Sequence, residues 1–168
     1  MTRVDPPFQD PERESLTSWL RYHRDTLAMK CDGLDPDQLC ERSVPPSSMS
    51  LIGLVRHMAD VERSWFRRLL AGESSDTAGP IYYSDDDIDG DFDNVDPATV
   101  DEAFATWRGE CARADEIVAT LDLDDTRVRP PDRTISVRWV LTHMIEEYAR
   151  HNGHADLLRE RIDGATGE

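Results

Sequence analysis

The chain is short of positive charge, of cysteine and of long apolar runs, and each shortage excludes something. Against 35 Asp and Glu it sets 19 Lys and Arg, a formal net charge of −16 over 168 residues. A surface of that sign repels phosphate backbones and anionic lipid, which argues against nucleic acid and membrane surfaces as partners. The three cysteines, Cys31, Cys40 and Cys111, show no CxxC spacing, and an odd, scattered set does not build a disulfide framework. They read as small buried hydrophobes in a reducing compartment. No apolar run approaches the roughly 20 residues of a membrane span. The opening "MTRVDPPFQDPERE" lacks the apolar stretch of a secretory signal. A cytoplasmic location is the expectation.

What is present is helical. With 38% apolar and 32% charged residues and a mean hydropathy of −0.62, the composition suits amphipathic helices around a modest core, in one domain over 1–168. Four long segments repeat with the helical period, and no segment of comparable length alternates like a strand. The first starts with Asp10 as cap and Pro11 at its first turn, carries the stripe Leu16, Trp19, Leu20, His23, Leu27 and Lys30, and ends at Gly33. Asp35 caps a short helix in "DPDQLCERS". The second long helix starts near Ser48 to Ser50 and runs to Gly72, with Leu51, Leu54, Met58, Val61, Trp65 and Leu69 as its stripe. A long acidic connection follows. Asp96 and Pro97 then start the third, which buries Val100, Phe104, Trp107, Cys111 and Leu121. "LDDTRVRPPDRTIS" is a second connection, broken by its proline pair, and the fourth helix runs from about Ser136 to Ile162. One long crossover between helices two and three predicts an all-α four-helix bundle, up-down-down-up. Trp19, Trp65, Phe66 and Trp107 belong to its core.

The fourth helix carries more polar chemistry than packing requires. At 100° per residue its apolar face centres on Met144, Tyr148, Ala155 and Ile162. His151 falls close to that centre and Glu147 on its inner flank, while His154 and His143 sit at the boundary. Glu147 and His151, four residues apart, stand one above the other and can share an ion. His57 lies on the flank of the second helix. Two imidazoles and a carboxylate from two helices make a three-ligand site with an open position, suited to zinc and equally to nickel or iron. The alternatives remain a salt bridge from Glu147 to Arg24, Arg56 or Arg68, and core histidines satisfied by neighbours, His23 among them. The acidic stretch "DDDIDGDFDNVD" matches the spacing of a calcium loop at Asp85, Asp87, Asp89, Gly90, Asp93 and Asp96. It ends on aspartate rather than glutamate and no helix enters it, so a solvated loop is the simpler reading.

"SLIGLVRHMADVERSWF" and "HMIEEYARHNGHADLLRE" together resemble the DinB-like superfamily of metal-binding four-helix bundles, closest to its mycothiol-dependent maleylpyruvate isomerase and S-transferase branch. The resemblance spans nearly the whole chain. It implies His57, Glu147 and His151 as metal ligands, with Glu147 where many relatives carry histidine. It also implies a metal, zinc first with nickel or iron behind it, that activates a low-molecular-weight thiol such as mycothiol against an electrophile. Asp60 and His154 are the candidate bases. Arg56 and Arg68, with the outward-facing Arg150 behind them, are candidates to hold an anionic part of thiol or substrate. Related bundles often pair, which makes a homodimer an expectation. A non-catalytic metal-binding stress-response module and a metal-dependent hydrolase using bound water are the competing functions.

Overall fold

The structure, a computed structural model, describes residues 3–166, and they are mostly helical. Helix α1 spans Glu12–Cys31, α2 Pro36–Cys40, α3 Leu51–Glu62, α4 Ser75–Ala78, α5 Gly90–Asp93, α6 Val100–Ala119 and α7 Val137–Asp163. Strands β1, Thr126–Arg129, and β2, Arg133–Ser136, form an antiparallel hairpin. Local chemistry sets most starts. Asp35 accepts from the Gln38 N–H while the Gln38 side chain accepts from the Asp35 N–H, a capping box. Ser50 and Ser136 accept from the N–H groups of Gly53 and Trp139. Asp96 caps a single 3-10 turn, Pro97–Thr99, that leads into α6. Only α1 departs from expectation here: Pro11 itself occupies the cap position and Asp10 does not cap it. Proline loses nothing where the N–H would be unsatisfied anyway, and Glu12 and Glu14 complement the positive end of the helix.

One hydrophobic cluster is built mainly from α1, α3, α6 and α7. α1 packs along α7 and α3 along α6, with α3 also against α7. At the centre of this apolar cluster lies a carboxylate. Glu62 is 0% exposed and accepts from Arg24 Nε at 2.8 Å, Arg24 Nη2 at 2.7 Å and the Tyr148 hydroxyl at 2.8 Å. Trp107 Nε1 donates to the Tyr148 oxygen at 2.8 Å. A buried charge costs several kcal/mol unless paired and fully hydrogen-bonded, and here donors from α1 and α7 meet it. This network turns α1 on its axis. The buried face runs through Leu20, Arg24, Leu27 and Cys31, and Trp19, placed in the core by its pattern, is 43% exposed.

Two segments depart from the expected regular pattern. After Glu62 the chain continues as a π-helix, Arg63–Leu70, closed by the Ala71 N–H on the Phe66 carbonyl. The wider turn moves burial from the expected Leu69, which is half-buried, to Leu70, while Phe66 is buried as expected. Such segments are often found at functional sites. The connection after α6, expected to be irregular, holds the hairpin. Its strands of four residues are too short to show alternation, and Pro130 and Pro131 sit in the loop between them, where a missing N–H breaks no ladder bond. The hairpin caps the end of the π-helix: Arg127 Nε donates to the Leu70 carbonyl at 2.9 Å, and the Arg129 guanidinium lies 4.5 Å from the centre of a Trp65 ring.

Candidate metal centre

α3 presents His57, and α7 presents Glu147 and His151 one turn apart. One ligand atom from each of the three lies within 4.8 Å of the other two. The rings of His57 and His151 are 4.7 Å apart, and Glu147 Oε2 is 3.7 Å from His151 Nε2. The second oxygen of Glu147 lies 3.2 Å from His143 Nε2. Among the described residues the arginines considered as partners for Glu147 do not pair with it: Arg24 pairs with Glu62 and Asp115, Arg56 holds two loop carbonyls, and Arg68 is exposed.

Burial, reinforced by the neighbouring His57 and His154, pushes the His151 pKa down to about 4. His151 is therefore neutral at pH 7, the form in which a histidine ligates. His57 Nδ1 is 2.7 Å from Asp91 Oδ2. A carboxylate only accepts, so Nδ1 carries the hydrogen toward Asp91 and Nε2 is the nitrogen left to face an ion. Two imidazoles and one carboxylate fit a divalent transition metal, zinc above all, with nickel and iron close in preference.

Beside His57 opens a pocket of about 230 Å³, walled by Val61, Ser64, Trp65, Tyr83 and Ile88, with Asp60 and Asp91 among its polar lining. Asp60 is buried, and its two oxygens accept from the N–H groups of Ile81 at 2.7 Å and Tyr82 at 2.9 Å. Burial raises its pKa, and those two backbone donors oppose the rise. His154 is half-buried, with its Nδ1 3.4 Å from His151 Nδ1. The two arginines considered for anion binding are placed differently. Arg56 is buried with its guanidinium on the Gly90 and Asn94 carbonyls and over the Tyr82 ring, so it holds a loop rather than offering its charge to a ligand. Arg68 is exposed and is not among the residues that line this pocket.

Of the residues that touch the ligands, Asp91 carried no such expectation. Asp91 reaches His57 from the acidic stretch. That stretch forms a Ser84–Asp87 bridge, the single turn α5 and the Asp96 cap. Asp91 stands at the one position in the calcium-loop spacing where a backbone carbonyl, not a side chain, is the ligand, so nothing in the pattern singled it out. His143, read as a boundary residue, packs between Trp65 and Trp139 with ring distances of 4.6 and 4.8 Å, beside Glu147. The Trp65 contact comes from tertiary packing, whereas Trp139 stands one turn before His143 on α7 itself.

A family model described as Mycothiol-S-transferase matches residues 15–164. The chain belongs to that family. No protein of curated function matches it. The match covers α1, α3, α6 and α7 whole or nearly so, and it agrees with the DinB-like, mycothiol-related likeness of the two motifs. All three ligand candidates of this mycothiol-S-transferase family member lie inside the matched span. No helix among its described residues is long and apolar enough to cross a membrane.

Proposed function

We propose that the protein is a zinc-dependent S-transferase that joins the sulfur of a low-molecular-weight thiol, mycothiol or a close analogue, to an electrophilic carbon. The observation that carries this reading is the convergence of His57, Glu147 and His151 from two helices in a chain of the mycothiol-S-transferase family. A divalent metal held by these residues would keep a net positive charge and would favour the thiolate form of a nearby thiol. In the reaction the thiol S–H gives up its proton, sulfur forms a bond to carbon, and the leaving group departs with its electron pair. The pocket wall of Val61, Trp65 and Ile88 receives the electrophile. His154 and Asp60 are the residues proposed to take the proton: His154 stands against His151, and Asp60 faces the pocket. The same reading makes the chain one domain with an up-down-down-up helix order, in the cytoplasm, acting on small molecules and able to form a homodimer.

The test is metal analysis of untagged protein together with thiol-dependent consumption of a bimane electrophile. About one equivalent of zinc is expected, falling below about a tenth in His57→Ala, and turnover should need both metal and thiol. Wild-type protein that takes up no metal sinks the reading. Metal without thiol-dependent turnover leaves a binding module, and turnover with water alone makes the protein a hydrolase.

A further inference from the structure

We propose that Asp91 is the positioning residue of His57, and that the acidic turn α5 is the device that holds it there. This rests on the metal reading above. Asp91 is 4% exposed. One of its oxygens accepts from the Phe92 N–H at 2.9 Å and the other faces His57 Nδ1 at 2.7 Å, so both are committed. Phe92 stacks on the His57 ring with centroids 4.8 Å apart and planes 26° from parallel. The ring is thus fixed in its plane by one residue and across its face by the next.

The turn is itself anchored by the residue before His57. The Arg56 guanidinium donates to the Gly90 carbonyl at 2.9 Å and to the Asn94 carbonyl, and its cation lies 4.5 Å from the Tyr82 ring centre. Residues 56 and 57 therefore grip the same turn, one through its ends and one through its middle. Gly90 makes the fit close: a Cβ there would lie 2.7 Å from the Tyr82 carbonyl oxygen. With its hydrogen committed to Asp91, His57 has one tautomer and offers Nε2 alone to an ion. Partners of this kind orient a histidine ligand and raise its basicity, and their loss costs about 10–100-fold in metal affinity.

Full-length wild type, Asp91→Asn and Asp91→Ala are compared by zinc competition with a chelator and by the nitrogen NMR spectrum of His57 in the metal-free protein. Wild type should show the hydrogen on Nδ1. Asp91→Ala should populate the Nε2–H tautomer and bind zinc about 10–100-fold more weakly, and Asp91→Asn, which keeps an oxygen acceptor, should recover most of that loss. An Nε2–H tautomer in wild type overturns the proposal, even if Asp91→Ala fails to fold. So does an affinity for Asp91→Ala within about twofold of wild type. Wild type that binds no zinc but holds Nδ1–H overturns the metal reading and leaves the role of Asp91 supported.

Discussion

Replacing Glu62 by leucine should unsettle the protein more than its single charge suggests. In the wild type this carboxylate is sealed from solvent and accepts two hydrogen bonds from Arg24, one from Tyr148 and a long one from Cys111 Sγ at 3.7 Å. Glu62→Leu strands the Arg24 Nε and Nη2 hydrogens in the core. Arg24 keeps one other carboxylate, Asp115 at 2.7 Å, whose side chain is 60% exposed and so is screened by water. Removing one partner of a buried pair costs about 3–5 kcal/mol. For a chain of this size each kcal/mol moves Tm by about 2–4 °C, which makes the drop about 6–20 °C. Arg24→Leu should cost a similar amount. The double variant Arg24→Leu/Glu62→Leu should recover much of the loss, because no charge is left unpaired. Urea and thermal unfolding of metal-free protein, followed by far-UV circular dichroism, measure all four corners of the cycle. Single variants within about 1 kcal/mol of wild type, or a double variant as unstable as the sum of the singles, would refute the reasoning.

Zinc should stabilise the wild type: at a free concentration a thousandfold above Kd the gain is about 4 kcal/mol. That corresponds to a rise in Tm of about 8–16 °C, and His57→Ala should abolish it in the same melting assay. Metal-free protein should lose stability on acidification. The His151 pKa is depressed in the folded state from 6.5 to about 4, so between those values the unfolded chain binds a proton that the folded chain refuses. The contribution is fully present above pH 6.5 and is lost as pH falls toward 4, by roughly 3 kcal/mol; urea midpoints across that window should fall in wild type and stay flatter in His151→Gln. Gly90→Ala should push the α5 turn off the Tyr82 carbonyl, lowering stability by about 1–3 kcal/mol and weakening zinc binding with it. An unchanged urea midpoint and zinc affinity would show that the turn tolerates the methyl group.

The chain's own pattern determined the helices and most of their boundaries. Capping at Asp35, Ser50, Asp96 and Ser136 depends on residues within three positions of each other, and the face of α7 follows from a fixed rotation per residue, so both are legible without a fold. That rotation alone aimed His151 inward with Glu147 beside it. The tertiary structure decided what local rules cannot express. Trp19 is exposed because Arg24, a residue any hydropathy pattern turns outward, is drawn into the core by Glu62, 38 positions away. The burial after Glu62 shifts because the helix widens to a π form, which invalidates the fixed rotation from that point on. Asp91 reaches His57 across 34 positions, and His143 meets Trp65 from another element. A side chain's local sequence sets which way it leaves the helix; which charge or ring it then meets is set by the packing of elements far apart in the chain.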